Sequence, residues 1–146
     1  MQLITARIRD IPDFPKPGIM FKDLTPLLGD PQALAAAVRA LVKPFRGDGV
    51  TQVLGMEARG FVFGALAAAE LGAGFVPLRK PGKLPGEVDR VSFELEYGSS
   101  ALEIQSDSLQ AGDKVVIVDD VLATGGTAAA ARNLVDACGA QSLALT

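Results

Sequence analysis

The sequence has 146 residues, 49% of them hydrophobic, with 14 Lys and Arg against 17 Asp and Glu for a formal charge of −3. That length suits a single domain, 1–146, with a sizeable core, and the acidic balance argues against a nucleic-acid-binding surface. With no histidine and one cysteine, Cys138, the chain cannot form a Ser-His-Asp or Cys-His nucleophile, a histidine-bound zinc site or an internal disulfide.

Taken in chain order, residues 2–9 read as a short helix stopped by Pro12, and the Pro- and Gly-rich stretch 12–26 as an ordered loop. Asp30-Pro31 is a strong helix start, with Asp as N-cap and Pro at the first helical position. Leu34, Val38, Leu41 and Val42 supply that helix with an apolar face. Val50 to Met56 reads as a core strand, Phe61 to Leu71 as an Ala-rich helix closed by Gly72, and Phe75 to Leu78 as a second strand. Pro81 to Gly86 reads as a loop. Val91 to Glu96 and Ala101 to Ile104 alternate apolar and polar residues across Gly98-Ser-Ser, which predicts a hairpin with one solvated face. A strand at 114–118, a helix at 127–137 stopped by Gly139 and a strand from Ser142 complete the chain. Cys138 is expected to be buried by packing. Helices between short apolar strands predict an α/β fold, a parallel twisted sheet flanked by helices with right-handed crossovers.

The chemistry concentrates in Val115-Val-Ile-Val-Asp-Asp-Val-Leu-Ala-Thr-Gly-Gly-Thr127. The apolar run reads as a strand buried on both faces. Asp119 and Asp120 then fall at its C-terminal end, where open α/β sheets place their ligand crevice. Ala123, Thr124, Gly125, Gly126 and Thr127 present backbone N–H groups ahead of a helix, which suits a phosphate. Two carboxylates beside such a cradle suit a ligand with hydroxyls and a phosphate, such as a ribose phosphate. A P-loop is excluded because Gly126 is followed by Thr127-Ala128, and because Phe61 stands where Gly55-Met-Glu-Ala-Arg-Gly60 would need lysine. Gly72-Ala-Gly74 lacks the third glycine of a dinucleotide fingerprint.

This stretch resembles the phosphoribosyl-diphosphate (PRPP) signature of the type I phosphoribosyltransferases. Phe14-Pro-Lys-Pro-Gly-Ile-Met-Phe-Lys-Asp23, Glu57-Ala-Arg-Gly-Phe61, Leu78-Arg-Lys-Pro-Gly-Lys-Leu-Pro85 and Phe93-Glu-Leu-Glu-Tyr-Gly98 resemble further segments of its adenine branch, in order along nearly the whole chain. The resemblance implies that fold, with a small N-terminal hood at 1–30 and a β-hairpin mobile loop at 79–105. It implies transfer of the 5-phosphoribosyl group from PRPP to adenine, giving AMP and pyrophosphate. Asp119 and Asp120 would accept hydrogen bonds from the ribose hydroxyls, and residues 123–127 would hold the 5′-phosphate. Glu57, Ala58, Arg59, Arg79, Lys80 and Lys83 would meet the pyrophosphate. Glu96 is implied as the catalytic acid, with Tyr97 sealing the site. Met20, Phe21, Lys22 and Val121, with Leu122 beside it, would face the adenine. Magnesium would ride on PRPP and water with no direct protein ligand.

The same resemblance implies a homodimer, and family chains normally continue beyond the strand at Thr146; the residues themselves read as a soluble, cytoplasmic domain. No signal-peptide pattern follows Met1-Gln-Leu-Ile-Thr-Ala, and no apolar run approaches the roughly 18–20 residues of a membrane span. Two other readings share the PRPP loop: a transferase for another base, and a non-catalytic PRPP- or purine-sensing domain. The segments at 14–23 and 93–98 point to adenine, and the sensors' basic DNA-binding segment is missing.

Overall fold

The computed structural model describes residues 2–94, 99–121 and 125–145. It divides into two compact units, Met1–Pro44 and Phe45–Thr146.

In the first unit a four-residue helix α1 (Gln2–Thr5) is followed by strands β1 (Arg9–Pro12) and β2 (Met20–Asp23), a short helix α2 (Thr25–Leu28) and a long helix α3 (Pro31–Val42). The expected helix at 2–9 therefore ends at Thr5, and the expected loop at 12–26 holds a strand and the start of a helix. Pairing is the reason: β1 and β2 run antiparallel with Arg9 opposite Asp23 and Ile11 opposite Phe21. Arg9 Nε donates to Asp23 Oδ2 at 3.0 Å. A cross-strand ion pair and ladder outweigh the weak helical bias of so short a segment. The start of α3 is as expected, with Asp30 Oδ1 accepting from the Gln32 and Ala33 amides at 3.0 and 3.1 Å.

The second unit is built on a four-stranded parallel sheet. Its strands are β3 (Gln52–Met56), β4 (Gly74–Leu78), β7 (Lys114–Val118) and β8 (Gln141–Leu145), in the order β4-β3-β7-β8. Helices α4 (Arg59–Leu71) and α5 (Gly126–Ala137) connect them, and β5 (Val88–Glu94) with β6 (Ser99–Gln105) forms a separate antiparallel hairpin. Alternation along the strands sorts the core. Leu54, Met56, Val76, Leu78, Val115 and Ile117 join Ala131, Leu134 and Val135 of α5 and Leu102 and Ile104 of β6 in one buried cluster. The intervening Val53, Val116 and Val118 are also buried, and α4 packs on β3, β4 and β7. Strands buried on both faces are what the unbroken apolar runs require.

Three glycines let α4 lie close to the sheet. A Cβ on Gly55 would stand 2.5 Å from the Phe75 ring, one on Gly60 2.8 Å from the Val118 carbonyl oxygen, and one on Gly64 3.2 Å from Gly55 Cα. Among its described residues the hairpin differs from expectation in pairing Ser99 and Ser100, expected in the turn, with Glu94 and Phe93, and in burying Glu103, which is 2% exposed although it falls on the polar phase of β6. Cys138 is half-buried at the end of α5 rather than enclosed, with Sγ 3.9 Å from Asp89 Oδ2.

Candidate active site

Parallel strands that are neighbours in the sheet deliver their C-terminal loops side by side. Gly55 pairs with Val118 and Met56 with Leu78, so the chain leaves β4, β3 and β7 at one edge. Three sequence motifs meet there: Arg79–Lys83 after β4, Glu57–Arg59 after β3, and Asp119–Asp120 after β7. The Glu57 amide donates to the Leu78 carbonyl at 3.0 Å, extending the β3–β4 ladder to the edge of the loops.

The loops are joined by ionic contacts. Arg59 Nε lies 2.6 Å from Asp120 Oδ2, with the Asp120 side chain 9% and the Arg59 side chain 41% exposed. Close packing of Gly60 against Val118 and Asp119 brings the first turn of α4 to the end of β7. Arg79 donates from Nε and from its terminal nitrogen to the two oxygens of Glu57, each at 3.3 Å. The Lys80 amide donates to Glu57 Oε2 at 3.2 Å, and Lys83 Nζ lies 3.6 Å from Glu57 Oε1. The Arg79 guanidinium also stands 5.9 Å from the centre of the Phe61 ring. Glu57 is thus the shared counter-ion of the basic segment, and the Arg79 hydrogen bonds hold its carboxyl below the usual range. The Glu57–Ala58 peptide bond is cis.

Asp119 and Asp120 differ in environment. Burial is the main reason the Asp119 carboxyl is pushed up to about 6, and the neighbouring Asp120 charge adds to it. The Asp120 amide donates to Asp119 Oδ1 at 2.8 Å, which works in the opposite direction. Gly125 takes a φ of +85°, a conformation that favours glycine, and opens α5; its carbonyl accepts the Ala129 amide at 2.9 Å. The first turn of α5, at Gly126 and Thr127, carries no acidic side chain. Its leading N–H groups and positive dipole end suit an anion.

Ala123, Thr124, Glu96 and Tyr97, together with Leu122, lie outside the described residues. Val121 is 54% exposed after the aspartates. Met20, Phe21 and Lys22 belong to the first unit, on β2. There Met20 is 53% exposed, Phe21 meets the Phe14 ring edge-on at 5.1 Å, and Lys22 Nζ lies 2.6 Å from Asp10 Oδ1. Among the described residues no cluster of three or more His, Cys, Asp and Glu side chains could hold a metal, and no helix is long and apolar enough to cross a membrane. Glu103 is the polar residue near these loops that sequence reasoning missed. Its neighbours in sequence alternate normally, and its burial comes from chain segments far away.

A parallel sheet whose three adjacent strand ends carry a basic loop, an Arg-bearing loop and paired aspartates before a glycine-capped helix defines a phosphoribosyl transferase domain, and that family's description matches residues 28–146. The adenine phosphoribosyltransferase of Methylococcus capsulatus is 62% identical over 141 residues, covering 97% of this chain and 82% of the relative. The crystal structure of adenine phosphoribosyltransferase from Rhodothermus marinus superposes with a TM-score of 0.93 at 47% identity, over 99% of this chain and 82% of that one. The Saccharomyces cerevisiae adenine phosphoribosyltransferase, solved with adenine and an imino-altritol bisphosphate, gives 0.89 at 40% identity over 99% and 88%. This chain belongs to the adenine phosphoribosyltransferase family.

Proposed function

We propose that the chain transfers the 5-phosphoribosyl group of PRPP to adenine, forming AMP and releasing pyrophosphate. The observation that carries this reading is the junction of the three loops, above all the Arg59–Asp120 contact that sets a pyrophosphate-type cation beside a ribose-type carboxylate. The relative solved with adenine and a bisphosphate supports the same pairing of ligands.

Each residue then has a physical task. Asp119 and Asp120 accept hydrogen bonds from the ribose 2′- and 3′-hydroxyls, fixing the sugar. The 5′-phosphate is held by Ala123, Thr124, Gly125, Gly126 and Thr127, through backbone N–H groups at the start of α5 and the two threonine hydroxyls. Arg59, Arg79, Lys80 and Lys83 stabilise negative charge on the departing pyrophosphate, and Glu57 and Ala58 shape the loop that presents Arg59. A purine nitrogen displaces pyrophosphate at the anomeric carbon with inversion, through a transition state of oxocarbenium character like that of glycoside cleavage. Glu96 manages the proton on the purine ring or stabilises the positive ribosyl centre, and Tyr97 closes the site against water, which would otherwise intercept that centre. Met20, Phe21, Lys22 and Val121 face the base.

The paired carboxylates are hard oxygen donors, compatible with a magnesium ion carried chiefly by PRPP and water, which would offset charge on the pyrophosphate. A cytoplasmic homodimer, with basic residues contributed across the interface, completes the reading.

The test is product formation from PRPP and magnesium with adenine, hypoxanthine and guanine offered separately. AMP with adenine alone, lost in Glu96→Gln and in the Asp119→Asn/Asp120→Asn double variant, is the expected outcome. Turnover of another base, or PRPP binding without any nucleotide product, overturns it.

A further inference from the structure

Glu103 lies in the middle of β6 between Leu102 and Ile104 and is 2% exposed. Its side chain is engaged on both oxygens. Arg90 Nε donates to Oε1 at 2.8 Å, and the Gly82 amide donates to Oε2 at 2.9 Å. Its backbone is engaged too: the Arg79 amide donates to the Glu103 carbonyl at 3.0 Å, and the Glu103 amide to the Arg79 carbonyl at 2.7 Å. One residue therefore holds both ends of the segment Arg79–Gly82.

Stability alone does not call for an acid here. A buried carboxylate loses its hydration, and its ionic partner Arg90 is 54% exposed, so the pair gains little over an apolar residue of similar volume at this position. What an acid adds is geometry. Glu103 grips the segment by main-chain N–H groups and leaves the side chains of Arg79, Lys80 and Lys83 to other partners. Glu57 accepts the Lys80 amide but also holds Arg79 and Lys83 through their charges, which a pyrophosphate attracts as well.

We propose that Glu103 is a positioning residue for the pyrophosphate side of the site, fixing the backbone of Arg79–Gly82 so that Arg79, Lys80 and Lys83 approach the leaving group from a set place. The proposal rests on the phosphoribosyl-transfer reading above.

The experiment uses the full chain with Glu103→Gln, which keeps the shape and removes the charge. Gly82 and Arg90 meet different oxygens of the carboxylate, and in glutamine one of those positions becomes an NH2 donor that cannot accept from the group facing it. Loss of one charge-assisted bond at this anchor predicts about a tenfold rise in the KM for PRPP and in the Kd of pyrophosphate. The KM for adenine stays unchanged, and amide hydrogen exchange rises in the peptide spanning residues 79–87. A uniform loss of active protein would not split the two substrates in this way. A folded Glu103→Gln protein with unchanged PRPP KM and pyrophosphate Kd overturns the proposal. Should that variant not fold, Arg90→Met withdraws the exposed partner, with a PRPP-specific KM increase expected and no increase overturning the role. A wild-type chain that neither turns over PRPP nor binds pyrophosphate overturns the transfer reading instead, and the exchange rates at 79–87 then still report whether Glu103 anchors the segment.

Discussion

Arg59 Nε stands 2.6 Å from Asp120 Oδ2, so the first residue of α4 is ion-paired with the second aspartate after β7. The contact joins two loops that are far apart in sequence and adjacent in space because β3 and β7 are neighbours in the sheet. In the ligand-free chain the cation and the carboxylate neutralise each other.

Replacing Arg59 by alanine is expected to lower kcat/KM for PRPP about ten- to a hundredfold, the size of one charge-assisted hydrogen bond to an ionised group. Lysine at this position should restore part of that, since it carries the charge without the planar fork. Thermal stability should fall in the alanine variant as well, by about 1–3 kcal/mol, because the Asp120 side chain is 9% exposed and loses the cation that offsets its burial. Steady-state kinetics with a melting curve for each variant tests both statements.

The Asp119 carboxyl, raised by burial to about 6, gives opposite pH effects on binding and on folding. A protonated carboxyl is a poorer acceptor for ribose hydroxyls, so PRPP affinity should fall as pH drops through about 6. For the fold the sign reverses. The native state binds this proton more tightly than the unfolded chain, so the group's contribution to stability grows as pH falls from about 6 toward the unfolded value of 3.8. Carboxyl-carbon NMR titration of the ligand-free protein should find a resonance with a midpoint near 6 that Asp119→Asn removes. A midpoint in the ordinary aspartate range contradicts the assignment.

Asp23 behaves in the opposite way. Thr25 hydrogen bonding, with Arg9 assisting, lowers its carboxyl to about 2, and its Oδ1 accepts the Thr25 amide at 2.9 Å. Its contribution is present above pH 3.8 and is lost as pH falls through about 2. Asp23→Asn should therefore speed exchange of the Thr25 amide at neutral pH and flatten the acid dependence of that rate between pH 4 and 2. Equal exchange in the two proteins would show that the carboxylate does not hold the start of α2.

Gly60→Ala should destabilise the chain by about 1–3 kcal/mol, the usual cost of overpacking. The added Cβ would meet the Val118 carbonyl oxygen at 2.8 Å, a backbone atom that cannot swing aside. The same shift would move Arg59 relative to Asp120, so PRPP affinity should fall along with the denaturation midpoint. Gly72→Ala makes a useful contrast. An added Cβ meets no atom within 4 Å there, so the substitution is strained through the φ of +68° alone and should leave PRPP affinity intact.

Much of the fold was open to reading because it depends on local pattern. The run Val115–Val118 is buried at every position, as an unbroken apolar β-branched stretch predicts. Asp30-Pro31 starts α3 through the capping bonds expected of it. The candidate site was partly open to reading for the same reason, since each motif is a short run at a strand end. Where reading failed, distant chain decided the outcome. Arg9 leaves the expected helix because Asp23 faces it across a ladder. Glu103 falls on a polar phase, yet Arg90, Arg79 and Gly82 cover it.

By itself, then, the order of residues determined α3 and the sheet strands and helices of the second unit, with the charge or glycine at their ends, since hydrophobic period and capping act within a few residues; β1 and β2 needed their cross-strand pairing. The tertiary structure decided which charges meet. Strand order places Arg59 against Asp120 and Arg79 against Glu57, and close approach at Gly55, Gly60 and Gly64 sets the distances. Ionic contacts depend on ångström-scale separation and on burial, and neither can be read from spacing along a chain.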